Sequence, residues 1–195
     1  MGKLLVHQIV SADGFAADAD GRFRMFGLAA ATPDFDRDLI VRLAGVEAVL
    51  LGGRTYSIFA DFWPTPAASD QLAAPAINAL PKIVFSSTLR AAPWGSFPDA
   101  RIEAGDPVAV VRALKSAASA DLLVWGSLTL TDALFTAGLV DIVRLAVLPV
   151  AIGSGRGWYP EGVGQLQLRL LDSATFDDGI VASEYEVARL SESIR

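Results

Sequence analysis

The chain has 195 residues, 52% hydrophobic and 19% charged, enough for one sizeable core, and a single domain over residues 1–195 is expected. A net charge of −6 removes the basic face that nucleic acid or an anionic membrane requires, so any phosphate site has to be local. The absence of cysteine excludes disulfides and thiolate metal sites, the N-terminus is no signal peptide, and no apolar run reaches the ~18 residues of a membrane span, which points to a soluble, cytoplasmic protein.

Residues 3–10 are rich in Leu, Val and Ile and end at Ser-Ala-Asp-Gly, which predicts a first strand with Asp13 at its carboxyl end. Residues 15–31 read as an irregular loop, with Phe23, Met25 and Phe26 available to cover a ligand. Thr32-Pro33-Asp34 has the order of a helix start, and Phe35, Leu39, Ile40 and Leu43 form the stripe of that helix. A second strand over residues 47–51 leads into Gly52-Gly53-Arg54-Thr55 and a short helix marked by Tyr56, Phe59 and Phe62. Glycines at a strand-to-helix turn bring backbone N–H groups close to a ligand, the helix dipole favours an anion there, and Arg54 and Thr55 add a cation and a hydroxyl. The same residues could instead form only a tight, capped turn.

Residues 61–66 form a proline-stiffened loop containing Trp63, and residues 69–80 have helical composition interrupted by Pro75. A third strand over residues 82–85 ends in Ser86-Ser87-Thr88, and a short strand is expected at 100–103. Asp106-Pro107 starts a helix with a Val110, Val111, Leu114 and Ala117 stripe. Residues 121–125 form a strand that enters Gly126-Ser127, and a helix follows over residues 128–137, so strand, glycine turn and helix occur twice. Residues 140–152 read as one long strand followed by Gly153-Ser154-Gly155-Arg156-Gly157. Residues 166–176 and 180–190 flank Asp177-Asp178-Gly179, a hairpin signal.

Alternating strands and helices followed by strands alone predict an α/β fold, a mainly parallel sheet with helices on both faces, extended by a C-terminal antiparallel hairpin. Ligands of such sheets bind beyond the carboxyl ends of the strands, here Ser11 to Gly14, Gly52 to Thr55, Ser86 to Thr88 and Gly126 to Thr129. A P-loop and a first-strand Gly-x-Gly-x-x-Gly are both missing, and scattered acids offer no metal cluster. His7, the only histidine, lies mid-strand and reads as a core residue rather than a catalytic base.

Ser11-Ala12-Asp13-Gly14, Leu50 through Tyr56, Gly126-Ser127 with Leu130, Gly138 through Asp141 and Pro149 through Gly155 resemble the dihydrofolate-reductase-like superfamily. Within it the chain is most similar to the C-terminal reductase domain of the bifunctional riboflavin-biosynthesis deaminase-reductase in stand-alone form. The resemblance implies a dihydrofolate-reductase fold, NADPH (or NADH) as hydride donor, a homodimer, and reduction of a pteridine, an aminopyrimidine like 5-amino-6-(5-phosphoribosylamino)uracil, or a related heterocycle. It further implies that Gly52, Gly53, Arg54, Thr55, Gly126, Ser127, Leu128 and Thr129 cradle the cofactor, with Ser86 and Ser87 toward its adenosine ribose. Asp13 and Trp63 would meet substrate, and Asp36, with Asp34 as its competitor, would be the acid. Relatives usually carry arginine where this chain has Gly53 and often where it has Ser87, and tend to read Val-Asp-Glu where it has Val140-Asp141-Ile142. A dinucleotide-binding module that has lost its chemistry is the competing reading.

Overall fold

The computed structural model describes residues 2–24 and 32–188. Eight strands form one sheet: β1 (Leu4–Ser11), β3 (Val46–Gly52), β4 (Lys82–Phe85), β5 (Arg101–Glu103), β6 (Asp121–Trp125), β7 (Ile142–Leu148), β9 (Gln167–Thr175) and β10 (Val181–Ala188). Their spatial order is β5-β4-β3-β6-β1-β7-β10-β9, parallel from β5 to β7 and antiparallel through β10 and β9. Among the described residues the α-helices are α1 (Pro33–Leu43), α2 (Gly53–Ala60), α3 (Ala74–Ala79), α4 (Pro107–Ala117) and α5 (Leu128–Thr136).

The near-continuous apolar runs of the central strands follow from burial on both faces, because successive side chains point to opposite sides. Val49, Leu51, Leu123 and Trp125 pack with Leu39 and Leu43 of α1, Tyr56 of α2 and Ile77 of α3. Leu50, Leu122 and Val124 face the other way and pack with Val111 of α4 and with Leu130, Leu134 and Phe135 of α5. Leu50 is fully buried, and truncating such a side chain to alanine typically costs about 2–5 kcal/mol.

Several boundaries differ from those the sequence predicts. Phe15–Asp18 is strand β2, paired antiparallel with β8 (Gly155–Gly157), where an irregular loop was expected. The pairing needs Gly155, since a Cβ there would stand 2.2 Å from the Ala17 carbonyl oxygen. Met25 and Phe26, with the rest of 25–31, lie outside the described residues, as does the end of the last predicted strand beyond residue 188. The long strand expected over 140–152 is only Ile142–Leu148, because Pro149 brings no N–H to extend the ladder. Within 69–80 only Ala74–Ala79 is helical; Pro75 occupies the first turn, where its missing N–H costs nothing, so it starts the helix instead of interrupting it. The hairpin turn is as predicted, with Gly179 at φ +83°.

Candidate active site

Strands β3 and β6 are parallel neighbours, with Leu50 paired to Val124, so the turns that follow them lie side by side. Gly126 and Ser127 both adopt left-handed backbone, with φ of 60° and 56°. Ser127 is held in that costly conformation by its own hydroxyl, which accepts the Gly52 N–H at 2.8 Å and donates to the Trp125 carbonyl at 3.2 Å. A Cβ on Gly52 would lie 3.6 Å from the Ser127 side chain, and one on Gly126 3.5 Å from Cγ2 of Thr55, so the two turns are tightly apposed. Gln8 of β1 fixes them from behind, its Nε2 donating to the Gly126 carbonyl at 2.8 Å and to Thr131 Oγ1 at 3.3 Å.

Neither α2 nor α5 has a side-chain cap. The N–H groups of Gly53, Arg54 and Thr55 and of Leu128, Thr129 and Leu130 therefore have no acceptor inside their helices. Two helix N-termini thus converge on one place, which is the chemistry of a phosphate cradle. Arg54 is exposed and lines the same wall, as does Arg156, whose Nη1 donates to Thr129 Oγ1 at 3.4 Å and whose charge is matched by Asp132. A dinucleotide fits this wall: glycine leaves its two turns open, and its cations are arginines.

From the turns a cavity of about 890 Å³ runs to an aromatic end built by α1, α2 and the loop after α2. Trp63 packs edge-on against Phe62 at 5.0 Å between ring centroids and stands 6.2 Å from Trp125, which in turn meets Phe59 at 5.4 Å. Beneath Trp63, Asn78 donates to the Trp63 carbonyl at 2.9 Å and accepts the Trp94 indole N–H at 2.8 Å. The ammonium of Lys82 donates to the Asn78 carbonyl at 2.6 Å and lies over the Trp94 ring; burial lowers its pKa to about 8. Asp36 stands in the cavity wall at 4% exposure, and its Oδ2 accepts the Ala73 N–H at 3.2 Å. Its other oxygen takes no hydrogen bond from the described residues.

Of the residues singled out from the sequence, Gly52, Gly53, Arg54 and Thr55, with Gly126, Ser127, Leu128 and Thr129, meet along the cavity, together with Asp36 and Trp63. Asp13, Ser86 and Ser87 are not brought to its wall. The Asp13 carboxylate accepts the Ser11 hydroxyl at 2.6 Å and the Ile152 and Gly153 N–H groups at 3.1 and 2.7 Å, so it fastens the loop after β7. Those bonds, the Ser11 hydroxyl first and Gly153 next, hold its pKa below the usual carboxylate range. Ser86 accepts the Thr88 and Leu89 N–H groups, closing its own turn behind Gly53. Asp34 accepts the Asp177 N–H at 3.1 Å and braces the C-terminal hairpin. Ile142 is buried in β7 at the amino end of the parallel strands, away from the cavity. His7 is a core residue, 2% exposed and edge-on against Trp125, and neither ring nitrogen has a hydrogen-bond partner among the described residues.

Gln8 and Arg156 line the cavity without having been anticipated. Gln8 was detectable as the polar residue in an apolar strand that must find partners. Arg156 arrives through the β2–β8 pairing and left no local signal.

The model of the RibD C-terminal domain family matches residues 3–182. Among solved structures, a protein from Shewanella sp. PV-4 ascribed to riboflavin biosynthesis superposes with a TM-score of 0.75 at 18% identity, covering 96% of this chain and 99% of that one. Dihydrofolate reductase from Enterococcus faecalis, complexed with NADP(H), gives a TM-score of 0.57 at 13% identity over 95% of each chain. The Thermotoga maritima diaminohydroxyphosphoribosylaminopyrimidine deaminase/5-amino-6-(5-phosphoribosylamino)uracil reductase gives 0.65 at 14% identity, over 96% of this chain and 57% of that one. Identities this low carry the fold, which is dihydrofolate-reductase-like. The match along 3–182 carries the family: the chain belongs to the RibD C-terminal domain family, a reductase family.

Proposed function

We propose that the protein is an NADPH-dependent reductase of a small nitrogen heterocycle, of the pteridine or aminopyrimidine kind. The observation that carries this reading is the continuity of one cavity from two apposed glycine turns to an aromatic end containing a buried carboxylate. The first-turn N–H groups of α2 and α5, with Arg54, hold the phosphates of the dinucleotide. Bound there, the nicotinamide would supply hydride; the aromatic walls exclude water, and Asp36 orients the ring through its open carboxylate oxygen. NADPH is favoured over NADH because Arg54 lines the cavity beside the turn, where its guanidinium can meet a 2′-phosphate. The domain pairs as a homodimer through its C-terminal edge, where Leu170 and Leu171 of β9 are 54% and 39% exposed; a monomer in sedimentation at micromolar concentration refutes that pairing.

The reading is tested by titrating the protein with NADPH and NADH, then scanning pterins and aminopyrimidines for loss of nicotinamide absorbance. Oxidation that requires both protein and heterocycle supports it. Cofactor binding with no oxidation favours the competing module, to which the departure of Asp13 from the cavity lends weight.

A further inference from the structure

We propose that the substrate taken at the aromatic end is a flat heterocycle without a phosphate, and that the cavity discriminates against the 5-phosphoribosyl form of the same ring. The inference rests on the reductase reading of this site and narrows it.

Charge is segregated along the cavity. Among its described lining residues the charged side chains are Asp36, Arg54 and Arg156. Arg54 belongs to the first turn of α2, with its guanidinium reaching past Gly21 at the cavity mouth, and Arg156 is held against Thr129 and Asp132 of α5. Among the described residues of the aromatic end Asp36 is the charged one, beside Phe35, Phe59, Phe62, Trp63 and Gln71.

The other cations close to it in the chain do not reach the cavity wall. Arg24 binds Asp18 at 3.0 Å and Asp20 at 3.2 Å, Arg22 lies 3.7 Å from Asp20, and Arg37 is exposed; none lines the cavity. The sequence of residues 25–31 contains no charged side chain.

A phosphate monoester carries about −1.5 to −2 charges at neutral pH. A phosphate is held by arginine forks, ammonium groups or open helix N–H groups. The N-termini of α2 and α5 belong to the opposite wall, and at α1, whose first turn carries Asp36, the Phe35 and Asp36 N–H groups are already taken by Asp34 and by the Thr32 carbonyl. Beside a 4%-exposed carboxylate with no matching cation, such a group meets like-charge repulsion in a medium that screens it poorly. A neutral ring fits instead: it meets the apolar side chains of the aromatic end, and an N–H edge donates to the open oxygen of Asp36.

Because Trp63 and Trp125 line the cavity, their emission reports binding directly. Each ring is offered in two forms, 5-amino-6-(ribosylamino)uracil with its 5′-phosphate and 6-hydroxymethylpterin with its phosphate ester, to the protein with and without saturating NADPH. The expected result is that, for whichever ring binds, the neutral member binds at least tenfold more tightly. Gln71→Arg, which adds a cation at the aromatic end, is expected to raise the affinity of the phosphorylated member at least fivefold. Equal or tighter binding of the phosphorylated member to the wild-type protein overturns the inference, and so does failure of all four compounds to change the emission. Failure of NADPH to bind would instead strike the reductase reading, and the titrations without cofactor separate that failure from a failure of the inference.

Discussion

Arg54→Ala is the most direct test of the cofactor wall. Arg54 is exposed, sits second in α2, and has no ion pair or hydrogen bond with another described residue, so its removal should change stability by no more than about 0.5 kcal/mol. Its Nη1 lies 2.8 Å from where a Cβ of Gly21 would stand, so the guanidinium reaches along the cavity mouth into space that only glycine leaves free. A charge-assisted hydrogen bond to phosphate is typically worth about 1.5–3 kcal/mol, which weakens cofactor binding roughly 10- to 100-fold when it is lost. Dissociation constants for NADPH and NADH, measured by quenching of tryptophan emission in wild type and variant, locate the contact. Loss of NADPH affinity alone assigns Arg54 to the 2′-phosphate; equal losses assign it to the pyrophosphate. Gly21→Ala, which must displace the guanidinium and strain a residue at φ +74°, should shift the same constant in the same direction. Unchanged affinity for both cofactors, in an Arg54→Ala protein of unchanged melting temperature, refutes the assignment.

Three further outcomes are expected. Ser127→Ala orphans the Gly52 N–H at a cost of about 1–3 kcal/mol, whereas Ser127→Gly loses the same bond but relieves roughly 1 kcal/mol of left-handed strain. Denaturant midpoints should therefore fall in the order wild type, Ser127→Gly, Ser127→Ala, and a reversal of the two variants would disprove the role given to the backbone. Asp13→Asn should lower the melting temperature at neutral pH while sparing turnover more than Asp36→Asn does. Because the folded pKa of Asp13 is lowered, its contribution is present above the unfolded value of about 3.9 and is lost as pH falls through the folded one, so melts at pH 7 and pH 3 should show the gap closing. Lost activity without lost stability would return Asp13 to the chemistry. The pKa of His7 lies well below 6.5, through burial first and then Arg144 and Arg42. The unfolded chain takes up a proton that the folded one refuses, so wild-type stability should drop relative to His7→Leu as pH falls below about 6.5, and midpoints with no such divergence between pH 7.5 and 5.5 exclude a buried neutral imidazole.

What could be read from the sequence was whatever the chain declares locally. Val49, Leu50 and Leu51 announce a strand buried on both faces, Asp106-Pro107 announces a helix start, and Asp177-Asp178-Gly179 announces a turn, because in each case neighbouring residues carry the physical cause. Strands β2 and β8 escaped notice because four and three residues are too few for periodicity, and Gly155-Arg156-Gly157 reads as coil until a partner strand is known. Asp13 shows the limit of placing ligands at strand ends. The rule brings the residue near the crevice, but the carboxylate's direction is decided by two N–H groups 139 and 140 residues away.

The position of the crevice follows from where the connections diverge. After β3 the chain passes through α2 to β4 on one side, and after β6 it passes through α5, over β1, to β7 on the other. Helices α2 and α5 consequently pack on opposite faces of the sheet, with Tyr56 in one core cluster and Leu134 in the other. A gap between neighbouring strands whose crossovers part in this way is a topological switch point, and both helix N-termini open into it. The proposed phosphate wall is then made mainly of backbone on fixed strands and needs few side chains beyond Ser127 and Arg54. The aromatic end is different, since Asp36, Trp63 and Gln71 come from α1 and from the segment between α2 and α3, outside the sheet. In the proposed reading, cofactor recognition is thereby tied to the fold, while the choice of substrate rests on side chains that can change without moving a strand.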